Sequence, residues 1–164
     1  MPQHILLVLD GGGVHGESFF YARELAKRME LPLRVLLLDR SQVPAAERKR
    51  SSEILETILT AARAYGLSAE GQSRYGDQGS ELLKYLAASP GTRCMVWGGD
   101  PDVLKPGRRR QASHWLSKVR ESLDWPIAGA VGKEEGNQQA AKPAKVRHTA
   151  RSGGKNGKTA KRKP

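Results

Sequence analysis

The sequence predicts an α/β fold: an open five-stranded parallel sheet in the order 3-2-1-4-5, helices on both faces, and a disordered basic C-terminal tail. Three observations predict it. Apolar runs at residues 5–9, 33–38 and 93–97 are nearly free of polar breaks, as strands buried on both faces are. Stretches of helical period alternate with them, and such alternation calls for parallel pairing through right-handed crossovers. Of the formal net charge of +11, a local +9 falls in residues 136–164, which hold nine Lys or Arg and no acid.

The first strand, Ile5-Leu6-Leu7-Val8-Leu9, ends at Asp10 and Gly11-Gly12-Gly13. After Gly16 the period becomes helical. Phe19 or Phe20, Ala22, Leu25, Ala26 and Met29 share one side, with Arg23, Glu24, Lys27 and Arg28 on the other. Leu31-Pro32 stops that helix, and the second strand runs over 33–38 to Asp39. A linker at 40–44 leads into a long helix at 45–65. Its apolar face is Ile54, Leu55, Ile58, Leu59, Ala62 and Tyr65, and Gly66 suits the C′ position. Residues 68–75 are polar and weakly alternating, as in a short or edge strand. Gly76-Asp77-Gln78-Gly79 turns the chain into a helix at 80–88, which buries Leu82, Leu83 and Leu86, and Ser89-Pro90-Gly91 breaks it. The strand at 93–97 ends in Gly98-Gly99-Asp100. An irregular basic stretch to Gln111 precedes a helix at 113–123, and Trp125-Pro126 precedes a last short strand at 127–131.

A chain of 164 residues suits one compact domain with an appendage, here an α/β domain at 1–132 and a tail at 133–164. The first 135 residues carry 19 basic and 17 acidic side chains, so the body is nearly neutral. Five consecutive apolar residues fall far short of the roughly 20 that span a bilayer. The N-terminus lacks the basic region and cleavage site of a signal peptide. The single cysteine, Cys94, allows neither an internal disulfide nor a cysteine-based zinc site. A cytoplasmic location without membrane contact is expected.

In such a sheet, ligands bind beyond the carboxyl ends of the strands where the strand order reverses, between the first and fourth. Asp10-Gly11-Gly12-Gly13 and Gly98-Gly99-Asp100 end those two strands. Over residues 3–132 the layout resembles the universal stress protein family. The likeness rests on Asp10-Gly11 after the first strand, the small-residue helix face Ala22-x-x-Leu25-Ala26, the turn Gly76-Asp77-Gln78-Gly79, and a strand reaching Gly98 followed by a helix and Trp125-Pro126-Ile127.

That resemblance implies an adenine-nucleotide-binding type of fold, with Asp10 near a ribose. Nucleotide-binding members carry Gly-x-x-Gly, nine residues, then Gly-Ser or Gly-Thr after the fourth strand. Laid from Gly98, this chain has Pro101, Gln111 and Ala112 at the later positions, with Ser113 one place beyond. Side chains there impede the approach of backbone N–H groups to phosphates. ATP or AMP is therefore expected to bind at low affinity or not at all, and no other cofactor is implied.

Candidate cofactor contacts are Asp10, Gly11, Gly12, Gly13, Gly98, Gly99, Arg108, Arg109, Arg110 and Ser113. The glycine loop leads into a helix N-terminus, where unpaired N–H groups favour an anion, although a plain turn has the same composition. The three arginines could hold a phosphate in place of the missing glycines, or be a solvated loop, and Ser113 could cap the next helix. His15 has no acid or nucleophile fixed beside it, and His4, His114 and His148 show no metal-ligand spacing. Cys94, Trp97, Trp115 and Trp125 read as packing residues.

The tail has no aromatic residue and a single aliphatic side chain larger than Ala, Val146, so it should be disordered. Its cations Lys142, Lys145, Arg147, Arg151, Lys155, Lys158, Lys161, Arg162 and Lys163 suit non-specific contact with nucleic acid or an acidic partner. The last strand, at a sheet edge, suits pairing with a second copy. The expected function is a non-enzymatic stress-response or regulatory module. The alternative is a nucleotide-using hydrolase or adenylyl-transfer enzyme acting through Asp10 and the Gly11-Gly12-Gly13 loop with His15.

Overall fold

The computed structural model describes residues 2–105, 114–123 and 126–129, all within the unit Met1–Lys133. Strands β1 (His4–Asp10), β2 (Leu33–Asp39), β3 (Ala69–Tyr75), β4 (Thr92–Trp97) and β5 (Ile127–Gly129) form one sheet in the order β3-β2-β1-β4-β5. Every pairing is parallel, as predicted. Helices α1 (Gly16–Arg28), α2 (Ala45–Ala64), α3 (Gln78–Ala88) and α4 (Trp115–Arg120) connect them, with a short 3-10 turn at Pro101–Leu104.

Alternation along β1 and β2 feeds two cores. Ile5, Leu7, Leu9, Leu33, Val35 and Leu37 meet Ala22 and Ala26 of α1 and Leu55, Ile58 and Leu59 of α2. Leu6, Val8, Leu36 and Leu38 meet Leu82 and Leu86 of α3 and Leu116 and Val119 of α4 on the opposite face. Both central strands are thus wrapped in apolar contact, which is why their sequence shows runs rather than alternation.

Helix ends are set locally. Gly66 has φ +86°, and the N–H groups of Gly66 and Leu67 reach the carbonyls of Arg63 and Ala62, the paired bonds that close a helix through a left-handed residue. The same closure ends α1, but with Glu30 at φ +54° where glycine is usual.

Several expectations change in detail. Helix α3 begins at Gln78 rather than 80, because the Asp77 side chain accepts the Ser80 N–H and caps it. Leu83 is exposed, so that helix buries Leu82, Tyr85 and Leu86. Of the two phenylalanines, Phe19 packs on the core and Phe20 points outward. Helix α4 is shorter than predicted, and its cap is His114, whose Nδ1 accepts the Leu116 N–H at 3.2 Å. Arg108, Arg109, Arg110, Ser113, Trp125, residues 130–131 of the predicted last strand and the whole tail lie outside the described residues.

Candidate functional site

Parallel order brings the carboxyl ends of β1 and β4 side by side, and both glycine clusters meet there. The Gly11 N–H donates to the Leu38 carbonyl (2.8 Å), and its φ of +65° lies in the left-handed region that favours glycine. Gly12 and Gly13 are exposed, and no atom lies within 4 Å of where a Cβ on Gly13 would sit. The loop is tied to the fourth strand by the His15 N–H, which donates to the Gly98 carbonyl (2.8 Å). Gly98 in turn donates its N–H to Val8 (2.8 Å). A Cβ on Gly98 would lie 2.6 Å from Leu9 Cδ2 and 2.9 Å from the Val8 carbonyl, and one on Gly99 would lie 2.5 Å from the Trp97 ring. Close packing of β4 on β1 therefore requires the first glycine.

Asp10 is the centre of this crevice. One carboxylate oxygen accepts from Gln78 Nε2 at the start of α3, and the same amide also reaches the Leu38 carbonyl (3.3 Å). Its other oxygen meets His114 Nε2 at 3.0 Å and Trp115 Nε1 at 3.3 Å. Because His114 Nδ1 accepts the Leu116 N–H, the Nε2 nitrogen carries the proton and donates to the carboxylate. The His114 ring lies between two indoles: 5.6 Å from Trp97 in an edge-on arrangement and 5.5 Å from Trp115 in a tilted one. Trp97 is fully buried and donates its indole N–H to the Asp100 carbonyl (2.9 Å). This places the start of α4 directly against the end of β1.

Beside it, the carboxylate of Asp39 at the end of β2 is buried and accepts from Ser51 Oγ (3.0 Å). Asp10 and His15 share no hydrogen bond, and the acid–imidazole pair in the crevice is Asp10–His114. Both nitrogens of His114 are occupied, so the ring fastens the start of α4 to the end of β1. Among the described residues no group of three or more His, Cys, Asp or Glu could hold a metal ion. No helix among them is long and apolar enough to cross a membrane.

Sequence reasoning singled out Asp10 and both glycine clusters, and the fold brings these together. It missed Gln78, His114 and Trp115. The one available signal was that the last two open the helix after the fourth strand, the element that faces the crevice in this topology. Cys94 is partly buried, its Sγ 3.8 Å from the Pro126 carbonyl, and burial pushes its thiol pKa up, as a packing role requires. A groove of about 560 Å³ between Tyr21, Met29, Cys94 and Pro126 opens at the amino ends of β1 and β4, away from the crevice.

No family model and no curated protein matches this sequence. Solved structures do. A universal stress protein of Archaeoglobus fulgidus in complex with dAMP matches 77% of this chain and 96% of its own, at a TM-score of 0.58 and 16% identity. A universal stress family protein from Burkholderia pseudomallei matches 76% of this chain and 93% of its own, at 0.56 and 16%. An Arabidopsis thaliana family protein with AMP bound matches 78% and 90%, at 0.52 and 12%. The fold of this chain is therefore that of the universal stress proteins.

Proposed function

We propose that this chain, built on the universal stress protein fold, is a non-enzymatic regulatory module of the stress-response type. In this reading its nucleotide crevice is held shut by its own side chains, and its basic C-terminal segment contacts nucleic acid. The observation that carries the first part is the engagement of both Asp10 oxygens by Gln78, His114 and Trp115. A nucleotide sugar that used this carboxylate, as the resemblance implies, would compete with those donors for its lone pairs.

Adenine nucleotides remain the ligand class to test, because structures of the same fold hold AMP and dAMP. Pro101, at the second glycine position of the family motif, works against them. It opens the 3-10 turn and has no N–H to offer a phosphate. The hydrolase or adenylyl-transfer reading needs Asp10 free to act with His15 on a bound phosphate, and the engagement of both Asp10 oxygens favours the module. Thermal shift with AMP and ATP tests the reading, since a ligand at 100 times its Kd adds about 2.7 kcal/mol of stability. Millimolar nucleotide is expected to leave the melting temperature unchanged, and a saturating rise of several degrees would contradict the closed crevice.

For the C-terminal segment, nine cations over residues 136–164 support contact through phosphates without base readout. For 6–10 phosphate contacts, affinity falls by about 10³–10⁵ between 50 and 200 mM salt. Fluorescence anisotropy of labelled oligonucleotides across that range reads the slope. Absence of binding at 50 mM salt would remove this part of the proposal. Pairing of two copies at β5, an edge strand of the sheet, is the accompanying proposal, and a monomer mass by light scattering at tens of micromolar would exclude it.

A further inference from the structure

We infer that the folded body carries a nucleic-acid contact surface of its own, suited to a single strand and formed by Arg48 at the ring of Tyr75, Arg40 after β2, and Lys49 and Arg50 exposed in the first turns of α2. The inference rests on the reading that the chain contacts nucleic acid, and it adds a contact outside the basic tail.

The surface follows from how β2 ends. Asp39 turns its carboxylate inward, where Ser51 Oγ donates to it, so it does not neutralise the exposed Arg40 that follows. Parallel register sets Asp39 opposite Tyr75, the last residue of β3, which brings the β2–α2 loop beside that ring. Arg48, in the first turns of α2, fixes the loop by donating to the Ser41 carbonyl (3.0 Å), and its guanidinium stands 4.8 Å from the Tyr75 ring centroid. Lys49 and Arg50 follow it, both exposed. Residues 40–50 thus hold four cations and one acid, Glu47.

None of the four cations forms an ion pair among the described residues. Arg23, Arg34, Arg74, Lys84 and Lys105, by contrast, each meet a carboxylate within 4 Å. Exposed cations with no carboxylate partner, one of them beside an aromatic ring that is 39% exposed, form the combination that single strands recognise. Phosphates meet the cations, and an unstacked base lies on the ring. A duplex offers the charges without a free base, so the ring distinguishes the two.

The test uses the full chain and a fluorescein-labelled single-stranded oligonucleotide, with anisotropy read from 50 to 200 mM salt. The variant Arg48→Ala/Lys49→Ala/Arg50→Ala should flatten the slope of log affinity against log salt by about 2, since each single-strand contact contributes about 0.7. Tyr75→Ala should weaken binding about tenfold at unchanged slope, and Tyr75→Phe should restore it. All substituted residues are exposed, and tryptophan fluorescence checks that the fold is kept. Binding by both variants equal to that of the unaltered chain would assign all contact to the tail and overturn this inference alone. Loss of the slope with no effect at Tyr75 would overturn the single-strand preference. No binding by the unaltered chain would overturn the inference together with the reading it rests on.

Discussion

His114 donates its Nε2–H to Asp10 Oδ2 across 3.0 Å and joins residues 104 positions apart in the chain. The bond links the end of β1 to the cap of α4, and Trp115 adds a second donor to the same oxygen. Replacing Asp10 by Ala leaves three donors without their acceptor. Because the side chain is 23% exposed, water replaces part of what is lost. The expected cost is about 1–2 kcal/mol, read as a lower urea midpoint at unchanged m. A midpoint equal to that of the parent chain would show that the cluster holds nothing together.

The two glycine clusters should respond differently to a methyl group. Gly98→Ala places a Cβ 2.6 Å from Leu9 and 2.9 Å from the Val8 carbonyl, and the second of these cannot yield without moving β1. Destabilisation of about 1–3 kcal/mol is expected, as for overpacked cores. Gly13→Ala, in open space, should stay within about 0.5 kcal/mol of the parent. Equal losses at the two positions, measured by urea unfolding, would refute this account of the crevice wall.

Glu30 occupies the left-handed position that ends α1. Non-glycine residues are strained there by roughly 1–2 kcal/mol, and glycine gives back part of that gain through greater freedom in the unfolded chain. Glu30→Gly should therefore raise stability by about 0.5–1 kcal/mol. A loss on the same scale in thermal unfolding would mean that Glu30 makes contacts of its own.

His4 opens β1, almost fully buried, with Nε2 3.0 Å from Thr92 Oγ1. Burial, with the nearby charge of Arg34, lowers its pKa from the ordinary value of 6.5. Below pH 6.5 the unfolded chain then binds more protons than the folded one, so stability is full above that pH and falls as pH drops through it. The decline should continue until the lower, folded-state pKa is passed. Melting temperatures measured between pH 7.5 and 5 should fall, and His4→Gln should flatten that part of the profile. An unchanged profile in the variant would place the titration elsewhere.

The fold was legible because its strands are simple. Residues 5–9 and 33–38 must be apolar on both faces, and such runs are visible without any knowledge of neighbours. Asp10 was legible as a candidate for the same reason, since it ends the first run at the strand ends where sheets of this topology form their crevice. Its partners were not. Gln78, His114 and Trp115 lie 68, 104 and 105 residues away, and no local period announces that their side chains converge. Reading His114 as a scattered histidine missed its work as a helix cap. Arg48 and Tyr75 were hidden similarly, since only the pairing of β2 with β3 brings the ring to the loop.

The central claim is that the chain's own side chains occupy the crevice. It is tested most directly by NMR, following the Trp115 indole N–H and the His114 ring during a titration with AMP. Since Trp115 Nε1 donates to Asp10, its proton reports the state of that carboxylate. The account predicts that both signals stay in place up to millimolar AMP. Shifts of both that saturate at micromolar AMP would contradict it, because they would mean that nucleotide readily displaces His114 and Trp115 from Asp10.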